Sequence, residues 1–377
     1  MQTHPPPKPV PLFAAVVQPI QAFFRLEAAS GILLLACAVA ALAWVNLFGE
    51  ESYRTVFEAP LAVGVGDAVA RFTLHALVND GLMTIFFFVV GMEIKRELVA
   101  GELRTRAQAM LPLVAALGGM IVPAAIYAAI NAGGPGLGGW GIPMATDIAF
   151  AIGVLTLLRS RVPYALVVFL TALAIFDDIG GILVIALFYG SGIDPRWLGF
   201  SAAVVVLLGV MHRRYVRSWV AWAIAGVLLW YGLHHAGIHA TIAGVVLGFA
   251  IPARPLRPLP DVLRGLADHA DELVRTCGDE ALDAAAVLAI EERLEDLEAP
   301  LSRFVHALHP WSSYVVMPIF ALANSGVALG GEAGGAGLTG AVGAGVALAL
   351  VLGKPAGIFG FTWAAVKLGL GSIPGGA

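Results

Sequence analysis

Charge is what this chain has least of. Asp, Glu, Lys and Arg supply 13% of its 377 residues, about half the share of an ordinary soluble domain. With 59% hydrophobic residues and a mean hydropathy of +0.86, a solvated globular shell is excluded. Cysteine is nearly absent too. Cys37 falls in an apolar run and Cys277 in a polar one, which gives neither a disulfide framework nor metal-ligand spacing. The opening MQTHPPPKPVP shows none of the apolar core of a cleavable signal peptide, and its prolines predict a short disordered tail over residues 1–25. Glycine (45) and proline (22) are plentiful instead, as they are in membrane helices. The fold class read from these figures is an all-α polytopic membrane protein.

About ten apolar segments are long enough to be candidate spans, at roughly 26–46, 75–98, 107–130, 141–158, 164–189, 196–212, 217–235, 237–252, 310–329 and 341–366. Placing the N-terminus in the cytoplasm leaves only Arg54, Arg71 and Arg196 outside and Lys354 within a span; the other 18 of 22 basic residues fall inside. The positive-inside rule therefore selects that orientation. Residues 26–252 are expected to carry the first eight spans, residues 253–309 a cytoplasmic insertion, and residues 310–377 two further spans. The insertion is acidic: 12 of the chain's 26 acids lie between 260 and 300, against three arginines. Its Leu, Val and Ala spacing predicts two short soluble helices. Between the first two spans, the runs flanking Gly66-Asp67 predict a small external β-hairpin over residues 60–72. An isolated hairpin is marginal in water, so pairing with a second copy, and hence a homodimer, is expected.

Three places carry charge where lipid should surround the chain. Asp177 and Asp178 interrupt the run YALVVFLTALAIFDDIGGILVIALFY at its centre. Each carboxylate there costs roughly 2.5–3.5 kcal/mol on translocon scales, so a use for them is implied. Adjacent helical residues point about 100° apart, which rules out a facing acid–base dyad but lets both border one site. They would present hard oxygen ligands to a small cation and take up protons as a coupled pair. Asp147, beside Thr146, follows Gly141 and Pro143 in GIPMATDIAFAIGVL, the pattern of a broken helix whose freed ends line a transport site. Lys354, in ALALVLGKPAGIFGF, needs a carboxylate partner at that depth, with Asp177 and Asp178 the two options. Weaker signals are Asp80 beside Asn79, the cluster Glu93-Ile-Lys-Arg-Glu97, and His239, His306 and His309.

Together the segments GMEIKREL, PMATDIAFAIGVL, ALAIFDDIGGILVIALFY, HATIAGVVLGF, HALHPW and GKPAGI closely resemble the NhaA-type sodium/proton antiporters. That resemblance implies an inverted-repeat fold and an electrogenic, pH-regulated exchanger in the bacterial inner membrane. Na⁺ or Li⁺ would leave as more than one proton enters. It matches the ion-binding aspartates to Asp177 and Asp178, the broken-helix pair to Thr146 and Asp147, and the membrane lysine to Lys354, paired with the first aspartate. It matches pH-response positions to Glu93, Glu97, His239 and His306, and the dimer contact to the hairpin. It implies no cofactor, no enzymatic reaction and no nucleic-acid partner.

Two departures stand out. Val305 occupies the place where many members carry glutamate before the first histidine of HALHPW. The family has twelve spans, and the chain ends after the tenth, so truncation before helices 11 and 12 is the expectation; a protein complete as it stands is expected to be unstable or inactive. Other readings of the acids are a passive cation channel and a sodium-coupled solute symporter. An intramembrane aspartyl protease is disfavoured, because Gly64-Val-Gly-Asp67 falls in the hairpin and two facing aspartates on separate helices would be needed.

Overall fold

The computed structural model describes residues 29–65, 68–101, 103–144, 162–190, 192–255, 264, 299–329 and 340–370. The expected tail, most of the fourth span, the acidic insertion and the hairpin turn lie outside these.

The first helix, α1 (Ala29–Phe48), is a run of twenty mostly apolar residues. Gly49, at φ 88°, breaks it, a left-handed turn that glycine adopts without strain. A short amphipathic helix, α2 (Glu50–Phe57), follows and buries Tyr53 and Phe57. The Tyr53 phenol donates to Leu322 O at 2.6 Å. Burial pushes the Tyr53 phenol pKa up, so the donor keeps its proton through the physiological range. The hairpin strands β1 (Pro60–Val65) and β2 (Ala68–Thr73) pair antiparallel, with Pro60 opposite Thr73 and Val65 opposite Ala68. The Thr73 side chain then accepts from Ala76 N–H and starts the next helix.

That helix, α3 (Leu74–Val99), contains a wide π turn over Leu77–Leu82. Within it the Asp80 carbonyl accepts from the Thr84 hydroxyl at 2.5 Å and the Trp230 indole at 3.1 Å. Helices α4 (Arg106–Ile130), α5 (Tyr164–Phe188), α6 (Pro195–Arg213), α7 (Trp219–His235) and α8 (Ile242–Ala250) follow. Helix α9 runs over residues 300–324 and α10 over Ala341–Lys367.

Helix α9 begins at Pro300, ten residues before the ninth span expected at 310. Leu301, Val305 and Leu308, at i, i+4 and i+7, make one apolar face, and Leu301 and Val305 bury it against Phe88, Leu208 and Leu247. Among the described residues six helices are long and apolar enough to span a bilayer: α1, α3, α4, α5, α6 and α10. Helix α7 has 17 residues and α8 only nine, shorter than the 217–235 and 237–252 expected. Large apolar side chains face outward, as lipid contact requires: Val206, Val227, Val351 and Phe359 are 64–74% exposed.

Two packing groups organise the interior. In one, α8 lies against α3 so closely that a methyl on Gly248 would meet Phe88 O at 2.7 Å and Met92 N at 2.8 Å. The C-terminal carbonyls of α8 are held by side chains from two other helices. Lys95 Nζ donates to Phe249 O (2.8 Å) and Ile251 O (2.5 Å), and His212 Nδ1 lies 2.7 Å from Ala250 O. In the other, α4 packs against both α5 and α10. Gly118 of α4 and Gly357 of α10 meet backbone to backbone, the small-residue contact by which membrane helices approach closely.

Gly118→Ala places a methyl within 2.6 Å of Phe361 and onto the Gly357 carbonyl. The expected cost is about 1–3 kcal/mol, read as a lower unfolding temperature in detergent. Gly209→Ala, which meets nothing within 4 Å, should raise stability by roughly 0.5–1 kcal/mol.

Candidate functional site

The contact between α4, α5 and α10 decides what surrounds the intramembrane charges. Asp177 sits at the middle of α5 with no exposed surface. Ala115 and Ala116 of α4 pack with Leu173, one turn before it. Gly119 of α4 faces the carboxylate: a β-carbon there would lie 3.8 Å from Asp177 Oδ1. Small residues thus leave room for a charged group that a larger neighbour would displace.

Lys354 enters from α10. A π turn over Ala349–Gly353 immediately precedes it, and Gly353 packs on Pro123 of α4. The helix is expected to open at Pro355 but instead continues to Lys367. The wide turn already leaves an amide without its usual acceptor pattern, so a proline just past it interrupts little. The Lys354 ammonium lies 2.8 Å from Asp177 Oδ2, and the lysine side chain is 9% exposed. It also donates to Met144 O at 2.6 Å. Of the two candidate partners, the structure pairs it with Asp177. Asp178, the next residue, is half-buried.

A buried ion pair is favourable only when hydrogen bonds satisfy what the pair leaves over. The Met144 carbonyl serves the ammonium in that way. It belongs to a short 3₁₀ turn, Ile142–Met144, that follows another over Pro135–Gly139. Two tyrosines fasten this glycine-rich stretch to the helix ends, and Asn131 ties the end of α4 to the start of α10. Tyr127 donates to Gly136 O at 2.7 Å, and buried Asn131 bridges Tyr127 O and Ala341 O. Tyr189, which caps α5, donates to Gly138 O at 2.8 Å while its oxygen accepts from Gly141 N–H at 3.0 Å. Thr146 and Asp147, expected to support the site, lie outside the described residues.

The other sequence candidates occupy separate places. Asp80 and Asn79 lie in the π turn of α3, where Asn324 donates to Asn79 Oδ1 at 2.9 Å. Glu93 of α3 faces His309 of α9, with 3.7 Å between Oε1 and Nε2. Glu97 is half-buried, His306 is exposed on α9, and His239 is exposed in the turn before α8. Sequence reasoning passed over Met144, Tyr127, Asn131 and Tyr189, and also Lys95 and His212. For Asn131 a signal existed, because it ends a long apolar run beside the glycine-rich stretch 133–141, whereas Tyr189 ends another apolar run far from that stretch in sequence. Met144 acts through its carbonyl, which no residue type announces.

Comparison with known proteins gives a consistent picture. Residues 21–377 match the family described as Na⁺/H⁺ antiporter 1. The chain is 64% identical over 374 residues to a Na(+)/H(+) antiporter NhaA of Anaeromyxobacter sp. (strain Fw109-5), covering 99% of this chain and 82% of that protein. It is 58% identical over 373 residues to Na(+)/H(+) antiporter NhaA 1 of Myxococcus xanthus (strain DK1622), covering 99% and 83%. The corresponding protein of Syntrophobacter fumaroxidans is 44% identical over 372 residues.

Removing one member of the buried pair leaves the other charge uncompensated. Lys354→Met should therefore cost about 3–5 kcal/mol, and Asp177→Asn/Lys354→Met together should cost well under the sum of the single changes. Thermal unfolding of the four proteins in detergent checks this; additive losses would mean that the pair does not couple.

Proposed function

The chain belongs to the Na⁺/H⁺ antiporter 1 family, and we propose that Asp177 and Asp178 are where it exchanges cytoplasmic Na⁺ or Li⁺ for external protons. The observation that carries this reading is the Asp177–Lys354 ion pair buried at mid-helix. A pair so placed has no reason to persist in a passive scaffold, since apolar side chains of similar volume are often as stable.

The charges suggest how exchange works. With Lys354 as ammonium and both acids ionised, the site carries one net negative charge. One Na⁺ on carboxylate oxygens neutralises it. Two protons on the acids leave one positive charge. A neutral sodium-loaded passage outward and a positive proton-loaded passage inward make the cycle electrogenic, with two protons per ion. Because the ion and the protons use the same oxygens, they compete. Saturable competition favours an antiporter over an open cation channel.

The finer expectations follow the same reading. The site would lie at mid-bilayer among about ten spans of an inverted-repeat fold, with Thr146 and Asp147 completing it from the broken fourth span. The N-terminus would face the cytoplasm across a bacterial inner membrane. Glu93, Glu97, His239 and His306 are candidates for pH regulation, and the 3.7 Å approach of His309 to Glu93 adds His309 to them. The hairpin supports a homodimer: β1 and β2 form a two-stranded sheet among the described residues, and an edge of that kind gains by pairing with a second copy.

In everted vesicles with a respiration-generated ΔpH, added Na⁺ should dissipate the gradient. Asp178→Asn should abolish this with the protein still inserted; unchanged exchange would reject the assigned ligand. Competition predicts that the apparent KM for Na⁺ rises as pH falls through the range where the acids load protons, and a pH-independent KM would count against a shared site. Replacing residues 60–73 by a short Gly/Ser linker should convert dimer to monomer in native mass spectrometry, and a persistent dimer would place the contact elsewhere.

A further inference from the structure

The Tyr189 phenol makes two hydrogen bonds that the exchange reading does not use, and their position is informative. Tyr189 ends the helix that carries Asp177. Its oxygen donates to Gly138 O and accepts from Gly141 N–H, so one side chain grips the stretch at two points, three residues apart. Its ring also lies against Trp140, with centroids 6.3 Å apart. Three residues beyond Gly141, the Met144 carbonyl accepts from Lys354, whose ammonium holds Asp177. The contacts therefore close on themselves: α5 to Tyr189, to Gly138 and Gly141, to Met144, to Lys354, to Asp177 and back to α5.

We infer that Tyr189 is a positioning residue for ion exchange, which sets where the Met144 carbonyl stands and so how firmly Lys354 is held beside Asp177. The inference rests on exchange taking place at Asp177 and Asp178. Glycine explains why a side chain has to do this. The stretch includes glycines at 133, 134, 136, 138, 139 and 141, which fix no backbone conformation by themselves. Its 3₁₀ turns have poorer hydrogen-bond geometry than an α-helix. A mispositioned carbonyl leaves the ammonium short of an acceptor in a buried site, where an unmade hydrogen bond costs more than a made one gains. Tyr127 provides the internal comparison, because its phenol packs near Gly139 but hydrogen-bonds to Gly136, farther along the chain from Met144.

Tyr189→Phe deletes both bonds and keeps the ring. In vesicles, the apparent KM for Na⁺ should rise about three- to tenfold, the effect expected of one or two lost hydrogen bonds. Maximal rate and membrane content should stay within about twofold. Tyr127→Phe should leave KM within about twofold. An unchanged KM in Tyr189→Phe, or an equal rise in both variants, would overturn the assignment. A second measurement needs neither variant to be active. Asp177→Asn breaks the ring of contacts at its opposite end, so amide exchange across residues 138–144 should accelerate about three- to tenfold relative to the unaltered protein. Unchanged exchange there would overturn the coupling even if Na⁺ transport is confirmed. Loss of Na⁺-dependent ΔpH in the unaltered protein would instead reject the exchange reading and leave the amide result standing.

Discussion

An ammonium and a carboxylate 2.8 Å apart and sealed from solvent impose conditions on everything around them. Each ion forfeits several kcal/mol of hydration on burial, and their attraction recovers this only with good geometry and further polar partners. The surroundings of Asp177 and Lys354 follow from those conditions. Gly119 leaves room for the carboxylate. The π turn before Lys354 sets the side chain's direction, and the Met144 carbonyl gives the ammonium a second acceptor. Gly118 and Gly357 let α4 and α10 approach closely, which brings Lys354 within reach of α5. A side chain at either glycine would push the two charges apart before it touched them.

Wide turns recur where polar atoms meet apolar helices. One holds Asn79 and Asp80, one holds Ser312, and one precedes Lys354. A π turn opens the regular ladder of backbone bonds, and in α3 the Asp80 carbonyl takes bonds from both Thr84 and Trp230. Such a turn lets a helix offer a backbone acceptor inward without ending. The glycine-rich link between α4 and the site reaches the same result differently, by leaving helix altogether and having tyrosines fix its path.

The intramembrane charges were legible in the sequence because lipid makes them expensive. Asp177, Asp178 and Lys354 each stood out from an apolar run with no structural information at all. Their pairing was not legible from the residues alone, since two aspartates one position apart are equally near a lysine whose helix has not been placed. The register of α10 settles it, and that register depends on a π turn in ALVLG, a sequence that reads as ordinary apolar helix. Helix α9 starts ten residues before the span expected at 310, and the i, i+4, i+7 spacing of Leu301, Val305 and Leu308 is the sequence signal for those extra turns. Lys95 looked like one of several interfacial charges, yet it binds the carbonyls of Phe249 and Ile251. Side chains that serve backbone atoms leave little trace in sequence, because every residue has the same carbonyl.

The nine-residue α8 rises about 13 Å, less than half of a typical hydrocarbon thickness of about 30 Å. Helices that fall short of the bilayer usually recruit water or headgroups to their ends, or thin the membrane around them. Here the last carbonyls are already occupied by Lys95 and His212. That end of α8 is finished by the protein itself, so it makes no demand on the surrounding lipid for polar company. Each of those three carbonyls keeps a polar partner inside the protein whatever the thickness of the membrane around it.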